Sequence, residues 1–280
     1  MSFTHLHVSS AFSAHYGVSW PDELVAAAAG DGADALACTD RDGLYGTVKH
    51  VKACLAAGID PIVGVDLAIR GSQGQSTGRV VVLAHGHNNG RGYHALCRLI
   101  SDAHEGAASG RGAKGREPGV GIAQIAHRAA GSPESSDAGF PAVLTVLLGP
   151  YSDVGQALRH RRYAEARRLA GRWRSIMPAG SLVLEVVNHL SPPGDNLSTA
   201  HAVRMLKLAA DLELPAVLTN AARYRQVDDA ATADVLDSVR ALTALAKLPD
   251  LQPNGQGWLK SSAQMQVLAY ETAQEAGIGR

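Results

Sequence analysis

Residues 35–67 read ALACTDRDGLYGTVKHVKACLAAGIDPIVGVDL, and the pattern of this segment indicates the fold class. The apolar run 35–38 predicts a buried strand, and a polar loop follows it. A helical pattern then covers 47–57, and a second apolar run begins at Pro61. A strand, a helix and a second buried strand in this order are typical of a βα unit in a parallel sheet.

The same alternation of short apolar runs and helical patterns continues through most of the 280 residues. The predicted strands cover 3–8, 35–38, 61–69, 80–84, 142–148, 182–187 and 215–219. The predicted helices cover 21–29, 47–57, 93–103, 163–176, 198–212 and 230–246. Seven strands are enough to close a barrel, so the sequence predicts one α/β domain with a parallel sheet or barrel.

Composition excludes several classes of protein. The 26 Lys and Arg residues balance the 26 Asp and Glu residues, so the chain lacks the charge expected of a dedicated nucleic-acid-binding module. Cys38, Cys54 and Cys97 share no metal-type spacing, which favours reduced thiols and the cytoplasm. No apolar run reaches the roughly 18 residues of a membrane span, and no signal-peptide pattern opens the chain.

Polar motifs follow several of the predicted strands. The opening motif FTHLH places His5 and His7 two residues apart, so on a strand both imidazoles face the same side and can hold one metal ion. The motif TDRDGLYG follows the second predicted strand, and Asp66 lies in the third. Catalytic residues of barrel enzymes gather at the carboxyl ends of strands, which is where the TDRDGLYG motif falls.

Five segments in order carry a resemblance to a known family: FTHLHVSSAFSAHYG, residues 35–67, GYHALCRLIS, LVLEVVNH and LPAVLTNAARY. Together they resemble the PHP (polymerase and histidinol phosphatase) domain at the N-terminus of bacterial C-family DNA polymerase III alpha subunits, from residue 3 to about residue 270. The resemblance implies a distorted (βα)7 barrel of the PHP type that holds up to three metal ions. Intact copies are phosphoesterases, including 3′–5′ exonucleases, and the polymerase palm follows directly.

Carried over residue by residue, the resemblance implies that most metal ligands are lost. His5 and His7 match the family's first pair, and Asp66 stands where a glutamate is usual. The remaining ligand positions fall on Tyr16, Arg41, Arg79, Pro150, Ala221 and Arg223. An arginine side chain is always protonated and donates only, so it cannot ligate a cation.

Two interpretations of the arginines follow. In the first, they replace the metal ions, with Asp40, Asp42 and Asp66 as salt-bridge partners and Asn220 in support. In the second, Arg41, Arg79 and Arg223 form an anion-binding site.

These interpretations give three candidate functions. The first is a structural and interaction domain of a DNA polymerase III alpha-type protein in replication or repair synthesis, with no cofactor. The second is a metal-dependent phosphoesterase or 3′–5′ exonuclease that uses His5, His7 and Asp66 with Zn, Mn or Mg. The third is an anion-binding barrel.

The predicted organisation is a PHP-like barrel over 1–255 with mobile loops at 105–121 and 131–139. A helical extension over 256–280 would lead toward a polymerase palm. The expected partners are other domains or subunits of a replicative or error-prone DNA polymerase, with weak DNA contact and no membrane association.

Overall fold

The computed structural model describes residues 2–86, 89–108, 117–130, 142–248 and 252–278. The chain divides into two compact units. The first unit contains Met1–Val63, Val187–Val203 and Leu218–Arg280, and the second contains Gly64–Val186 and Arg204–Val217.

Helices and strands alternate along most of the chain, as the sequence predicts. The helices are α1 (Pro21–Gly30), α2 (Thr47–Ala57), α3 (Arg91–Ala108), α4 (Ile122–Ala129), α5 (Asp153–Arg159), α6 (Tyr163–Ile176), α7 (Thr199–Asp211), α8 (Ala230–Ala241) and α9 (Ser262–Ala276). The strands are β1 (Ala35–Cys38), β2 (Asp60–Arg70), β3 (Ser76–Ala84), β4 (Gly119–Val120), β5 (Leu144–Leu148), β6 (Leu182–Val187) and β7 (Ala216–Thr219). Short 3-10 turns cover Val227–Asp229 and Leu245–Lys247.

In the first unit, β1 pairs in parallel with the start of β2, from Ala35 opposite Asp60 to Cys38 opposite Val63. This confirms the βα unit predicted for residues 35–67. Helices α1 and α2 cover it, and the apolar core of the unit is small and continuous. Its members are Val8, Leu24, Val25, Ala28, Ala33, Leu36, Cys54, Ile59, Ala222 and Leu259.

The prediction of a regular strand over 3–8 is wrong. The segment makes only isolated parallel bridges, at His5 with Leu36 and at Val8 with Ala222. His5 and Val8 are buried, and the segment lies between their bridge partners, Leu36 and Ala222. Two isolated bridges are too few to form a ladder. The segment is nevertheless extended where the two histidines stand.

The second unit differs from the predicted parallel arrangement. Strand β2 from Gly64 onward pairs antiparallel with β3, and β3 pairs antiparallel with β5, whereas β5 and β6 are parallel. The cause is the connection between β2 and β3, which is a tight turn closed by a hydrogen bond from the Gly71 amide to the Gln75 carbonyl, 2.9 Å. So short a connection cannot make the crossover that parallel strands need.

Several boundaries differ from the prediction. Within the predicted loop 105–121, α3 continues to Ala108 and β4 follows at Gly119–Val120, and the predicted loop 131–139 lies outside the described residues. Helix α8 ends at Ala241, five residues early, because Leu242 adopts a left-handed conformation with φ 49°. Helices α4 and α5 were not predicted, since each spans only about two turns.

Candidate functional site

His5 lies in the core of the first unit and is 4% exposed. Its Nε2 atom donates a hydrogen bond to the Lys260 carbonyl oxygen, 2.9 Å away, and Nδ1 has no partner among the described residues. Burial lowers the pKa of His5, so the ring is held neutral. His7 is half-buried, and its carbonyl oxygen accepts a hydrogen bond from the Ala222 amide. Of the predicted remnant pair, His5 therefore already uses one ring nitrogen internally.

Three of the predicted lost-ligand positions meet around one aromatic ring in the first unit. The guanidinium carbon of Arg41 lies 3.5 Å from the centroid of Tyr16, and that of Arg223 lies 3.9 Å from it. Arg240 approaches the same ring at 5.8 Å. A cation within about 6 Å of an aromatic ring is attracted to the face of the ring. At the positions where the resemblance implies an aspartate and two histidines, this chain thus has a tyrosine that contacts two guanidinium groups.

Arg223 is buried, at 7% exposure, and its charge is compensated by Asp237 on α8. Nη1 and Nη2 each donate to one carboxylate oxygen of Asp237 at 2.9 Å, and Nη2 also donates to the Tyr16 carbonyl at 3.0 Å. Burial acts to lower the pKa of Arg223, but Tyr16 and Asp237 more than offset it and leave the pKa raised. The arginine is therefore a fixed, internally paired cation.

Asp40 is buried in the first unit but does not pair with an arginine, contrary to the prediction. Its carboxylate accepts hydrogen bonds from the Ser10 amide at 2.7 Å and from the hydroxyls of Ser10 and Ser13 at 2.9 and 2.8 Å. It forms no ion pair with any described residue. Asp42 is half-buried in a left-handed conformation with φ 61°.

Residues 220 and 221 occupy the first two positions of the last ligand motif that the resemblance implies. Ala221 is buried, has φ 41° and offers no ligand atom. Asn220 is fully buried: its amide nitrogen donates to the carbonyl oxygens of Gln256 and Trp258, and its side-chain oxygen accepts from Lys260 Nζ at 3.1 Å. Asn220 therefore joins the segment before α9 to the end of β7.

Lys260, which the sequence reasoning missed, brings a buried cation into the first unit. The residue is 8% exposed, and burial lowers its pKa to about 8. Near it, His189 donates from Nε2 to the Asn220 carbonyl at 2.8 Å. Burial first, and then the positive charges of Lys260 and Arg223 and the neighbouring His7, lower the pKa of His189 to about 4. Lys260 gave no signal in sequence because it lies in a Gly- and Gln-rich stretch that reads as a loop.

In the second unit, Asp66, a predicted remnant ligand, forms an ion pair with Arg79, which stands at a predicted lost-ligand position. Arg79 Nε donates to Asp66 Oδ1 at 2.9 Å, and Nη2 donates to the Asp66 carbonyl at 2.8 Å. Arg79 Nη1 also pairs with Glu117, which the sequence reasoning did not single out. The pair spans neighbouring strands, since Arg79 stands opposite Ala68 in the register of β2 and β3.

Pro150 is the second residue after β5 and is buried in the second unit. The next turn is fixed by the Ser152 hydroxyl, which donates to the Gly149 carbonyl at 2.7 Å and caps α5 by accepting from the Gly155 amide. A Cβ at Gly149 would lie 2.0 Å from Glu185 Oε2 and would displace that carboxylate. Pro150 has no side-chain lone pair, so this position cannot hold a cation.

These donors do not fit the metal ions that the resemblance implies. The described residues contain no group of three or more His, Cys, Asp or Glu side chains that could hold a metal ion. Asp66 is paired with a guanidinium, and the arginines at the predicted ligand positions offer no lone pair to a cation. A divalent ion requires several lone-pair donors around one point.

The fold and the sequence place the chain in a known class. The fold is shared with an amidohydrolase from Chromobacterium violaceum, with a TM-score of 0.50, 15% sequence identity and coverage of 78% of this chain and 86% of that one. The PHP domain model matches residues 5–189. The chain belongs to the PHP domain family. The predicted fold class, an α/β fold of the PHP type, is confirmed.

Polymerases are among the relatives of this chain. An error-prone DNA polymerase of Symbiobacterium thermophilum is 31% identical over 272 residues, which cover 93% of this chain and 23% of that protein. The DNA polymerase III subunit alpha of Treponema pallidum is 31% identical over 247 residues, which cover 84% and 19%. The chain therefore spans about a fifth of the length of these curated relatives. None of the helices in the described ranges combines the length and apolar character that a membrane span needs.

Proposed function

We propose that this chain is the PHP domain of a DNA polymerase III alpha-type protein in which internal hydrogen bonds and ion pairs have replaced the metal ions. Its role is to stabilise and position other domains or subunits of the polymerase. The observation that carries the proposal is the state of the arginines at ligand positions: Arg223 is paired with Asp237 and Arg79 with Asp66. A cation held by a carboxylate supplies the charge compensation that a metal ion would otherwise give.

The other two candidate functions have less support. A phosphoesterase that used His5, His7 and Asp66 would need Asp66 to leave Arg79 and bind an ion. An anion site formed by Arg41, Arg79 and Arg223 would need charges that are already neutralised at Arg79 and Arg223. Both remain outcomes of the experiment below.

The three free thiols, Cys38, Cys54 and Cys97, support the proposal that the protein functions in the reducing cytoplasm. We further propose that the barrel covers residues 1–255 and that a helical extension covers residues 256–280. Residues of this extension pack within the first unit, where Asn188 donates to the Thr272 hydroxyl at 3.1 Å.

The first experiment measures metal content, hydrolysis of bis-p-nitrophenyl phosphate in manganese, and melting temperature with and without a chelator. We expect well under one bound ion per chain, no hydrolysis above background and an unchanged melting temperature. Hydrolysis that disappears in His7→Ala would instead establish the phosphoesterase. Stabilisation by phosphate that Arg41→Ala abolishes would establish the anion site.

A ligand-restoring variant provides the positive control. The triple variant Tyr16→Asp, Arg41→His, Arg223→His returns the family's residue types to three positions of the first unit. We expect manganese or zinc to raise its melting temperature and a chelator to reverse the rise, because a metal that binds only the folded state stabilises it. The same ions should leave the original chain unchanged.

The interaction role is tested by complementation in trans. The Symbiobacterium thermophilum error-prone polymerase is produced without the segment that matches this chain, and the two are co-expressed. We expect the chain to co-purify with the truncated polymerase. Failure to do so, with the chain folded, would contradict the interaction role while leaving the family assignment intact.

A further inference from the structure

A pocket in the first unit adjoins the start of α9 and has a volume of about 530 Å³. Its lining includes Leu190, Val227, Trp258, Val267 and, in its buried part, Lys260. Pockets that bind small ligands typically measure about 300–1,000 Å³ and combine apolar walls with a few polar groups. None of the predicted ligand or lost-ligand positions lines this pocket.

Among the described residues that line the pocket, Lys260 supplies the positive charge, beside the polar side chains of Gln256, Gln264 and Glu271. The residue is more than nine-tenths buried, and Nζ donates to Asn220 Oδ1 at 3.1 Å and to the Gln256 carbonyl. Both acceptors are neutral, and within the described ranges no carboxylate forms an ion pair with Lys260. An ammonium has three protons to donate, so two are used. A buried cation without a counter-charge is costly, and an anion that enters the pocket would remove that cost.

The walls determine the rest of the ligand. Leu190, Val227 and Val267 are 55%, 50% and 57% exposed, which leaves much apolar surface in water. The Trp258 ring lies 5.5 Å from Lys260 Nζ, so an apolar body held beside the charge would lie against that ring. Glu271 also lines the pocket and is exposed, which disfavours a second negative charge on the ligand.

We infer that this pocket binds a small organic monoanion, whose acidic head pairs with the Lys260 ammonium and whose apolar body packs along Trp258 and Val267. The inference does not rest on the proposed polymerase role, because it uses none of the metal-ligand positions. Carboxylates and sulfonates share this chemistry, whereas inorganic phosphate has the charge without the apolar body.

The test is calorimetric titration of the whole chain with 2-naphthoate, 2-naphthalenesulfonate, uncharged 2-naphthamide and inorganic phosphate. We expect both naphthyl anions to bind with a stoichiometry of one, and at least tenfold more tightly than the amide or phosphate. Lys260→Met should weaken naphthoate binding at least tenfold, and the exposed Lys247→Met serves as the matched control. Equal binding of amide and anion, or no saturable binding of either anion, would overturn the inference.

A second variant covers the case in which Lys260→Met fails to fold. Val267→Glu adds a negative charge at the exposed wall of the pocket and leaves the core untouched. We expect it to weaken naphthoate binding severalfold with an unchanged melting temperature, while Val235→Glu, equally exposed on α8 but outside the pocket lining, leaves binding unchanged. Equal affinity in the two glutamate variants would place the bound anion elsewhere and contradict the inference.

Discussion

The two units each hold an arginine at a ligand position of the family, and they neutralise it in different ways. In the first unit, Arg223 is 9% exposed in its side chain, makes a two-pronged contact with Asp237 and lies over the Tyr16 ring. In the second unit, Arg79 is 12% exposed and pairs with Asp66 and with Glu117, whose side chain is 45% exposed. Each pair also has an exposed third member. In the first unit Arg240, 48% exposed, donates to Asp237 at 2.9 Å, so two arginines share one carboxylate. In the second unit two carboxylates share one arginine.

The difference lies in the origin of the partner carboxylate. Asp66 is one of the positions that the resemblance assigns to a ligand, so in the second unit both partners come from predicted ligand positions. Asp237 belongs to α8 and to none of the predicted ligand positions, so in the first unit the counter-charge comes from another element.

Removal of the Asp237 carboxylate should have the largest effect. Asp237→Ala leaves the buried Arg223 guanidinium without its counter-charge, and breaking such a pair costs about 3–5 kcal/mol of unfolding free energy. Urea denaturation of the whole chain measures this. The matched control is Asp234→Ala on the same helix, which is half-buried and bonded only to the neutral Gln252 side chain. We expect the control to cost under about 1 kcal/mol.

A double variant separates the contribution of the two charges to the unfolding free energy from the contribution of packing. Arg223→Met combined with Asp237→Leu removes both charges and keeps apolar volume, and such replacements are often neutral or stabilising. We expect it to recover most of the stability lost in Asp237→Ala. An Asp237→Ala variant as stable as the original chain would remove the distinction between a carboxylate shared by two arginines and an arginine shared by two carboxylates.

Acid should destabilise the first unit through His189. The pKa of His189 is about 4 in the folded chain, against an ordinary value of 6.5, because burial and nearby cations oppose its charge. Between these values the unfolded chain binds more protons, so unfolding free energy is at its full value above pH 6.5 and falls as the pH drops toward 4. The shift corresponds to about 3 kcal/mol. Hydrogen exchange at several pH values should show the loss first in the first unit, and His189→Gln should flatten it. A profile that is unchanged in His189→Gln would contradict the assigned cause.

The sequence predicted the βα unit at residues 35–67 and the helix over residues 163–176, because burial and periodicity there agree with the local pattern. It did not predict the antiparallel pairing of β3, although the Gly-rich turn before that strand carried the signal. A turn of this length selects a hairpin whatever the composition of the strands.

The candidate site was predictable only where both partners fall on positions that the resemblance assigns to ligands. Asp66 and Arg79 could be paired from the resemblance, since both fall on ligand positions. Asp237 and Lys260 could not, because a single charged residue on a helix or in a loop usually faces solvent. The serine contacts of Asp40 were also missed, since an acidic residue beside an arginine in sequence suggests an ion pair that the backbone does not form.

Removal of Asp66 should have the smallest effect of the three. Asp66→Ala leaves Arg79 with Glu117 and with access to water, so we expect a loss of about 2 kcal/mol in unfolding free energy, less than for Asp237→Ala. Asp60→Ala, exposed on the same strand, should change it by under about 0.5 kcal/mol. The measurement is repeated in a chelator and in excess manganese, because a ligand role for Asp66 would make the loss metal-dependent. A loss as large as that of Asp237→Ala would mean that water and Glu117 do not compensate the charge of Arg79. A loss seen only with manganese would indicate that Asp66 is a metal ligand.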